Sequence, residues 1–498
     1  MLNPEDIGYS SIRNHLNRDW LVGVSAEQVL QVFEQHWQCV TAQQSPPKNP
    51  PRILLAESDP VQFLGRFFAA VAAGCPLFLG NPAWGSTEWE EVLTQIQPDQ
   101  IWSSALSLNA KSHDEPPPTP LPPQSIMIPT GGTSGRVRFV MHTWKTLMAS
   151  VAGFCDYFCD YFEIGTQTRN QLFVVNAYCV LPLYHVSGLM QVLRCFSTGG
   201  TLAIAPFRQL EQGFTLPLPP EQSFLSLVPT QLQRLMRSPL IREWLTQFRA
   251  VLLGGAPAWM ELLQEARSQA IPLALTYGMT ETASQIATLT PIQFLAKESS
   301  QGWVGSPLPH AQVTIRNEQG QILESNRVGA IAIQASSLGL GYFSSNPRKQ
   351  EATPKHWQVY LPDDLGYLDD AGHLHIVGRN SDKIISGGEN IFPTEIEAAI
   401  RATGLVKDVA VLGLPDPIWG EAVTAIYVPI EPGCRSNKIR ASVGDRLSRY
   451  KHPKHWIPVD KLSRNPQGKL NRVMLRKLAI AHMASTVLSR STPAEESV

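Results

Sequence analysis

In the first half of the chain, segments with the hydrophobic spacing of a helix alternate with short apolar runs typical of strands. Residues 25–42 have the apolar spacing of an amphipathic helix, and Arg52–Ala56 is a short apolar run typical of a buried strand. Asp59 and Pro60 carry the signature of a helix start, and this helix is predicted to run to Ala73. Pro76–Leu79 then begins another strand. Strand, helix and strand at this spacing predict a parallel sheet with crossover helices.

The same alternation continues towards the middle of the chain. Helices are predicted at Glu88–Ile96 and Lys145–Tyr161, with a helix reaching about Phe196 and another beginning at Thr230–Arg237. The predicted strands are Gln100–Trp102, Phe173–Leu183, Thr201–Ala205, Phe224–Val228, Ala250–Leu253 and Leu273–Thr276. The pattern predicts an α/β protein with mixed or parallel sheets and flanking helices.

The pattern becomes β-rich from Gly329 and returns to short helices and strands after Glu389. This change predicts a large N-terminal domain over residues 1–380, which includes a β-rich subdomain, and a small α+β C-terminal domain over residues 381–483. Within the small domain, NKIRASVGDRLSRY predicts one continuous helix. Residues 484–498 are small and polar and predict a disordered tail.

Composition and charge limit the partners of the chain. At 498 residues it exceeds the size of a single core, so two or more domains are expected. Lys and Arg number 41 against 42 for Asp and Glu, so no global basic field favours nucleic acid. The most apolar stretch, residues 67–80, contains Gly74 and Pro76 and is too short to span a membrane, so no stable membrane insertion is expected.

The cysteines and the N-terminus indicate a reducing compartment. The seven cysteines are odd in number and include no CxxC pair, which favours reduced thiols over a disulfide framework or a zinc site. The opening MLNPEDIGYS is polar and acidic and does not resemble a signal peptide. A cytoplasmic location is therefore expected. The sequence is compatible with a homodimer but does not define the oligomeric state.

Four segments rich in glycine or hydroxyl residues follow predicted strands: Thr130–Gly135, Leu183–Gly188, Gly254–Pro257 and Tyr277–Thr282. Ligands of open α/β sheets bind outside the carboxyl ends of the strands, so these segments are expected to converge on one crevice. Successive backbone N–H groups in Thr130–Gly135 suit an anion such as phosphate. Taken alone, this segment fits a surface turn at least as well.

Seven sequence pieces together resemble the acyl-adenylate-forming family, which includes acyl-CoA synthetases, firefly-type luciferases and peptide-synthetase adenylation domains. The pieces are TGGTSGRVR, LPLYHVSG, LVPTQL, LLGGAP, TYGMTET, PDDLGYLDDAGHLHIVGRNSDKIISGGENI and RNPQGKLNR. The resemblance covers the chain from about Ile53 to Ile480. Within the family, the branch most similar is the o-succinylbenzoate–CoA ligases of menaquinone and phylloquinone synthesis. A P-loop NTPase is excluded because Gly-Lys-Ser/Thr is absent from the end of the glycine segment.

The resemblance implies an ATP site. The residues that it assigns to ATP or AMP are Thr130, Gly131, Gly132, Thr133, Ser134, Gly135, Arg138, Gly254, Gly255, Ala256, Pro257, Tyr277, Gly278, Met279, Asp364 and Arg379. Arg138 stands where the family usually has lysine, which keeps the charge but changes its shape. Asp364 and Arg379 would bind ribose or phosphate, and the less favoured alternative for both is a hairpin ion pair.

The resemblance also assigns catalytic roles. Thr280 and Glu281 would bind a phosphate oxygen and Mg²⁺, an ion that prefers oxygen ligands; otherwise they would cap and begin a helix. Lys469 would be the adenylation lysine, bridging the attacking carboxylate and the α-phosphate. Because Lys469 lies in the C-terminal domain, the domains must close, with a hinge at Ser381 and Asp382. Rotation of the small domain would then bring three residues to a CoA tunnel, namely Gly387, Gly388 and Glu389.

The acyl site is expected around the segment LPLYHVSG and the helix after it. The residues that the resemblance or the helical spacing assigns to it are His185, Ser187, Gly188, Gln191, Arg194 and Ser284. His185 would line the pocket or gate the CoA thiol, unless it is an ordinary core histidine. Arg194 is expected to pair with the second carboxylate of a dicarboxylic acid, unless it marks a solvent-facing part of the helix.

These expectations define an ATP-dependent acid–CoA ligase with o-succinylbenzoate, ATP and CoA as substrates and Mg²⁺ as the metal. Two alternatives remain at this stage. The first is another aryl- or fatty-acyl-CoA ligase of the same mechanism, and the second is a catalytically silent adenylate-binding protein. Lys469, Glu281 and the glycine segment argue against the silent protein, since such a protein could lose them freely.

Overall fold

A computed structural model describes most of the chain. The described residues are 7–42, 50–104, 121–122, 124–131, 137–162, 173–296, 302–344, 357–431, 436–444, 446–464 and 470–490. Within them, no helix is long and apolar enough to cross a membrane. The six cysteines in these ranges are all free.

The secondary structure is assigned as follows. The helices are α1 (Tyr9–Leu16), α2 (Ala26–Ala42), α3 (Pro60–Ala72), α4 (Ser86–Ile96), α5 (Trp144–Phe162), α6 (Val186–Thr198), α7 (Phe207–Glu211), α8 (Pro229–Leu235), α9 (Pro239–Thr246), α10 (Met260–Ser268), α11 (Pro291–Ala296), α12 (Pro393–Arg401), α13 (Ser436–Val443) and α14 (Arg472–Arg490). The strands are β1 (Leu21–Val22), β2 (Ile53–Leu55), β3 (Leu77–Leu79), β4 (Gln100–Trp102), β5 (Ser125–Gly131), β6 (Val137–Thr143), β7 (Asn176–Cys179), β8 (Leu202–Ile204), β9 (Ser223–Leu227), β10 (Ala250–Leu253), β11 (Leu273–Met279), β12 (Ser284–Thr288), β13 (Trp303–Pro307), β14 (Ala311–Arg316), β15 (Gly329–Ala335), β16 (Asp364–Leu368), β17 (Leu374–Arg379), β18 (Ile384–Ser386), β19 (Glu389–Ile391), β20 (Val406–Asp416), β21 (Gly420–Pro429) and β22 (His455–Pro458).

The first sheet has five strands in the order β4-β2-β3-β5-β6. The strands β4, β2, β3 and β5 are parallel, as the strand–helix–strand pattern predicted. Asp59 caps α3 by accepting a hydrogen bond from the Gln62 amide at 2.9 Å, and Pro60 occupies the first turn. The final pair, β5 and β6, is antiparallel, so the glycine segment joins two strands of a hairpin.

The second sheet has twelve strands in the order β1-β8-β7-β9-β10-β11-β12-β13-β17-β16-β15-β14. It is parallel from β1 to β11 and antiparallel from β11 onward. Mixed sheets with flanking helices confirm the predicted fold class. The antiparallel part begins at β12, well before the predicted start of the β-rich pattern at Gly329. The pattern of β12, β13 and β14 is weak because each strand is short and contains a polar residue at a partly exposed position.

One apolar core fills the space between these two sheets. Helices α3, α5 and α6 contribute Phe67, Phe154, Phe158, Leu189 and Leu193 to it, all fully buried. Strand residues from both sheets line the same core. Helices α5 and α6 pack against each other and are therefore held rigidly beside β12.

The C-terminal part has its own sheet, in the order β19-β18-β21-β20, with β22 added parallel to β21. Separate apolar clusters on its two faces pack under α12, α13 and α14. This is the α+β arrangement that the sequence predicted. The predicted hinge residues Ser381 and Asp382 lie between β17 and β18, where the chain passes from the twelve-stranded sheet to this one.

Three predicted elements differ in length from those observed. The predicted strand Phe173–Leu183 contains only β7, since Pro182 has no amide hydrogen to donate and Phe173–Val175 does not pair. The helix predicted over NKIRASVGDRLSRY ends at Val443, immediately before Gly444. Helix α14 continues to Arg490, so the predicted tail from residue 484 begins inside a helix; residues 491–498 lie outside the described ranges.

Candidate functional site

The hairpin β5–β6 carries the predicted phosphate-binding segment. Thr130 lies opposite Arg138, and Gly131 lies opposite Val137, at the end of the two strands. Four residues of the predicted segment, Gly132, Thr133, Ser134 and Gly135, fall outside the described ranges. Their role therefore stays a prediction. The ladder shows only that Thr130 and Gly131, at the start of the segment, lie on a strand paired with the strand that begins at Val137.

Arg138 connects this hairpin to the TYGMTET segment through a tyrosine. Its guanidinium lies 4.4 Å from the centroid of the Tyr342 ring. The Tyr342 hydroxyl donates a hydrogen bond to Glu281 Oε1 at 2.5 Å. Burial and the neighbouring Glu281 carboxylate raise the pKa of Tyr342 well above its ordinary value, so this hydroxyl keeps its proton. Arg138 thus lies one side chain away from Glu281.

The TYGMTET segment has a different local structure from the one predicted. Strand β11 runs through Tyr277 and Gly278 to Met279, and Thr280–Thr282 forms a single 3₁₀ turn into β12. The alternative in which Thr280 caps an α-helix is therefore wrong. Ala283 and Ser284 follow with φ of 51° and 85°, unusual for residues other than glycine. Backbone of this kind is concentrated at functional sites.

Glu281 is held rigidly inside this turn. Its side chain is only 6% exposed, and its backbone oxygen accepts a hydrogen bond from the Gly339 amide at 2.9 Å. The ring of His142 fixes the preceding residue, because Nε2 lies 2.7 Å from the Thr280 carbonyl oxygen and must donate to it. One buried carboxylate with a fixed position suits Mg²⁺, which takes few protein ligands and shares substrate phosphate oxygens.

Tyr277, Asp364 and Arg379 form a connected group beside the turn. The Tyr277 hydroxyl donates to Asp364 Oδ2 at 2.7 Å, and Arg379 Nε donates to Asp364 Oδ1 at 3.3 Å. Asp364 and Arg379 are paired across β16 and β17, so the hairpin ion pair is present. Asp363 points elsewhere, towards Ser381. Of the two aspartates, Asp364 is therefore the one that faces the candidate nucleotide site.

The Gly254–Pro257 segment follows β10 and lies against β11. A Cβ on Gly254 would overlap the hydroxyl of Thr276, which precedes Tyr277. Gly255 has φ of 77°, in the left-handed region that favours glycine. Gly254 therefore brings the backbone of this segment close to the strand that carries Tyr277, and Gly255 allows the chain to turn directly after it.

The helix α6 presents the candidate acyl residues. His185 precedes its first turn, and Gly188 lies so close to the Pro182 carbonyl that a Cβ there would overlap it. Gln191 is 2% exposed, and its Nε2 donates to the Ser187 carbonyl at 2.9 Å. Ser187 itself is exposed. Ser284 directly precedes the buried Gln285. Gln285 in turn accepts a hydrogen bond from Arg194 of α6.

Arg194 is buried, which rules out a solvent-facing part of the helix. Its side chain is 3% exposed, and its guanidinium lies 3.9 Å from the centroid of the Phe154 ring. One nitrogen donates to Gln285 Oε1 at 3.4 Å, whereas Nε has no hydrogen-bond partner among the described residues. Among the described residues, no carboxylate forms an ion pair with Arg194. Burial lowers the pKa of Arg194 to about 10, so it remains a cation at neutral pH.

The C-terminal residues form a second group. Gly387 and Gly388, with φ of 59° and 84°, make the turn between β18 and β19 that precedes Glu389. The Gly387 amide donates to the Trp419 carbonyl at 2.9 Å, and Lys454 Nζ lies 4.5 Å from the centroid of the Trp419 ring. Lys469 lies outside the described residues, so its position is not tested.

The predicted hinge has polar contacts on both sides. The Ser381 amide donates to Asp363 Oδ2 at 3.2 Å, and Asp382 pairs with Arg472 at 2.9 Å. A further contact places the Arg401 guanidinium 5.2 Å from the centroid of the Trp259 ring. These contacts hold the present arrangement of the two parts.

Three residues that contact the candidate site residues were not themselves predicted from the sequence: His142, Gln285 and Tyr342. Gln285 ends the recognised motif TYGMTETASQ, but its contact with Arg194 was not predicted. The others depend on contacts between residues far apart in the chain.

A fold with two sheets around α5 and α6, a buried carboxylate in the turn after β11 and a small C-terminal domain defines the adenylate-forming class. The family model described as "AMP-binding enzyme" matches residues 87–343, and the model described as "AMP-binding enzyme C-terminal domain" matches residues 395–469. The first match covers more than half of the chain. The chain therefore belongs to the AMP-binding enzyme family, as its motifs predicted.

Individual relatives narrow the comparison. The 2-succinylbenzoate–CoA ligase of Oceanobacillus iheyensis is 35% identical over 297 residues, which is 60% of this chain and 60% of that relative. The enzyme of the same name from Geobacillus sp. (strain WCH70) is 32% identical over 351 residues, covering 70% of this chain and 68% of the relative. The first match thus spans less than two thirds of that relative's length.

Solved structures share the fold. The o-succinylbenzoate CoA synthetase from Bacillus subtilis, in complex with the acyl-adenylate intermediate, superposes with a TM-score of 0.73 at 23% identity, covering 93% of this chain and 97% of that one. ATP-bound MatB from Rhodopseudomonas palustris superposes with a TM-score of 0.75 at 22% identity, covering 94% and 98% of the two chains. At these identities the likeness supports the fold alone.

Proposed function

We propose that this chain is an AMP-forming acid–CoA ligase that activates o-succinylbenzoate. The observation that carries the choice of acid is the buried Arg194 guanidinium, which lies on the Phe154 ring without a carboxylate partner among the described residues. An isolated buried cation is costly unless an anion joins it. A dicarboxylic aromatic acid supplies both an anion for Arg194 and a ring for the apolar wall beside it.

This choice of acid agrees with the names of the relatives described above, whose printed activity is that of 2-succinylbenzoate–CoA ligases. A fatty-acyl ligase would have no use for a cation at the position of Arg194. The sequence expectation of an acid–CoA ligase and the buried cation therefore support the same substrate.

The first half-reaction would join the acid to AMP. One carboxylate oxygen of the acid attacks the α-phosphorus of ATP, the bond from that phosphorus to the bridging oxygen breaks, and pyrophosphate leaves. The Thr130–Gly135 turn would hold the leaving phosphates through N–H and hydroxyl groups. Lys469 would offset the negative charge that builds on the transferring oxygens. Tyr277 and the Gly254–Pro257 backbone would hold the adenine, and Asp364 would accept from the ribose hydroxyls.

Mg²⁺ fits the same site. Glu281 would hold the ion together with phosphate oxygens, and the ion would supply charge neutralisation for pyrophosphate departure. The Tyr342 hydroxyl at 2.5 Å fixes the orientation of that carboxylate. Thr280 lies beside it, with its carbonyl fixed by His142.

The second half-reaction would replace AMP with CoA. The thiol sulfur attacks the acyl carbon, the bond to the AMP oxygen breaks, and the thiol proton leaves with the products. Rotation about Ser381 and Asp382 would bring Gly387, Gly388 and Glu389 to the acyl end of the site. His185, before the first turn of α6, would lie between thiol and acyl group. Trp419 and Lys454 pair beside Gly387, which offers a flat face and a cation to the CoA nucleotide.

The test is ATP–pyrophosphate exchange with a panel of fatty, benzoic, malonic and succinylbenzoic acids, followed by AMP release on addition of CoA. We expect exchange and AMP release with o-succinylbenzoate and little with fatty or simple benzoic acids. Exchange that is fastest with a fatty acid would assign the chain to another acyl-CoA ligase. Exchange with no acid at all would favour a silent adenylate-binding protein.

A further inference from the structure

We infer that His310 is a specificity-determining residue, which donates a hydrogen bond to the same carboxylate of the acid that Arg194 neutralises. This inference rests on the proposed function, because it requires a dicarboxylic acid in the site. His310 lies between β13 and β14, on a part of the chain to which no site role was assigned from the sequence.

The first observation is a group of polar atoms that are buried but unpartnered. Neither ring nitrogen of His310 has a hydrogen-bond partner among the described residues. The same is true of Arg194 Nε and of Gln191 Oε1, one helical turn apart on α6. A buried polar atom without a partner costs roughly 1–3 kcal/mol, so several in one region indicate that a polar ligand completes them.

The second observation is the space made for the imidazole. Gly153 lies within α5, and a Cβ at this position would overlap His310 Nδ1. Phe154, the next residue of α5, lies under the Arg194 guanidinium. Adjacent residues of one helix therefore carry the two polar groups. A glycine inside a helix is unfavourable by about 1 kcal/mol relative to alanine, and here it admits the ring.

The third observation is the protonation state. Burial, together with the Arg194 cation, lowers the pKa of His310 to about 4. The ring is neutral at neutral pH, so it has one N–H donor and one acceptor nitrogen. A neutral donor adds no second buried charge beside Arg194. A carboxylate can thus accept from both side chains while a single cation balances its charge.

The backbone holds His310 in this position. Its carbonyl oxygen accepts a hydrogen bond from the Ser336 amide at 3.3 Å, which links it to the end of β15. Pro309, the residue directly before His310, has a φ angle fixed by its ring. The imidazole is therefore positioned before a ligand binds, and little ordering is needed on binding.

The test compares three variants in ATP–pyrophosphate exchange: His310→Ala, His310→Gln and Gly153→Ala. The acids are o-succinylbenzoate and its two monocarboxylate analogues, 4-oxo-4-phenylbutanoate and 2-butanoylbenzoate. Whichever analogue the wild type activates is the reference. Because a hydrogen bond to a charged group is at stake, we expect His310→Ala to raise KM for the dicarboxylate about 10- to 100-fold. KM for the reference acid and for ATP should change little.

The other two variants separate positioning from folding. His310→Gln keeps an N–H donor and should recover most of the affinity. Gly153→Ala leaves His310 in the chain but displaces its ring, and alanine suits a helix, so it tests the geometry if His310→Ala folds poorly. We expect Gly153→Ala to raise KM for the dicarboxylate selectively as well. Circular dichroism of each variant records the fold.

Three results would overturn the inference: equal changes in KM for the dicarboxylate and the reference acid, no change in either, or a Gly153→Ala protein indistinguishable from wild type. Failure of the proposed function appears separately, in the wild type. A wild type that exchanges with monocarboxylates alone, or with no acid, would overturn both. If the wild type prefers the dicarboxylate and the variants have the same KM values as the wild type, only the role of His310 is overturned.

Discussion

Replacing Arg194 with methionine should produce two effects of opposite sign. The variant keeps a long side chain over Phe154 but removes the cation, which is 3% exposed and has no carboxylate partner among the described residues. In the free protein, loss of an uncompensated buried charge should be stabilising. In the complex, the same loss should leave the substrate carboxylate without its counter-ion.

The magnitudes follow from these contacts. Exchange of a buried charge for an apolar side chain is often stabilising by about 1–4 kcal/mol, and the lost contact with Phe154 offsets roughly 0.5–2 kcal/mol of this. The net change in the free energy of unfolding therefore lies between about −1 and about +3.5 kcal/mol, and its central value is a gain of about 1 kcal/mol. Truncating one partner of a buried charge pair costs about 2–5 kcal/mol, equivalent to ~30- to 4,000-fold in KM for the dicarboxylic acid.

The pH range of the stability effect is also defined. The folded protein holds the pKa of Arg194 below its ordinary value, at about 10. Its charged form is thus disfavoured by folding, and this cost is fully present below about pH 10. The stabilisation that methionine provides should accordingly be constant over the range of ordinary buffers, roughly pH 6–8.

Thermal denaturation and pyrophosphate exchange provide the assay. The matched control is Arg267→Met, since Arg267 also stacks on a phenylalanine, 4.6 Å from the Phe294 centroid, and donates a hydrogen bond of 2.8 Å to the Phe294 carbonyl. The control should lower Tm and leave KM unchanged. If Arg194→Met instead lowers Tm and leaves KM for the acid unaltered, Arg194 is a structural cation and the assignment of the acid loses its support.

Three further predictions concern the nucleotide and CoA sites. Tyr342→Phe removes the hydrogen bond to Glu281 and should lower kcat/KM for ATP about tenfold and raise the Mg²⁺ concentration needed for half-maximal exchange; an unchanged Mg²⁺ titration would contradict this. Lys469→Ala should abolish exchange yet leave thioester formation from a synthetic acyl-adenylate, and equal losses in both assays would assign the lysine another role. Trp419→Ala, beside Gly387, should raise KM for CoA without affecting exchange; loss of exchange would show damage beyond the CoA site.

The fold was largely predictable because its early part has strong local signals. Asp59 and Pro60 define the start of α3, and uninterrupted apolar runs define β2 and β10. The antiparallel region was harder, because its short, half-exposed strands carry weak patterns. The length of β7 was overestimated for the converse reason: an apolar run extends beyond the residues that pair.

Site residues divided in a similar way. The motif around Glu281 was recognisable, but its surroundings were not, since Tyr342 and His142 reach it from distant parts of the chain. The burial of Arg194 followed from the packing of α5 on α6, which the helical spacing alone did not determine. The place of Lys469 stays a prediction, as do the glycine residues of the hairpin turn.

The adjacent aspartates before and within β16 have a consequence for how this chain can vary. Asp363 binds the Ser381 amide at the predicted hinge, whereas Asp364 binds Tyr277 and Arg379 at the proposed nucleotide site. Neighbouring residues of an extended chain point to opposite faces. Insertion or deletion of one residue here would exchange the two faces, and each carboxylate would meet the other's partners. The length of this segment is therefore expected to be more tightly constrained than the identity of its neighbours, because one register sets both the contact at the predicted hinge and the contacts at the proposed nucleotide site.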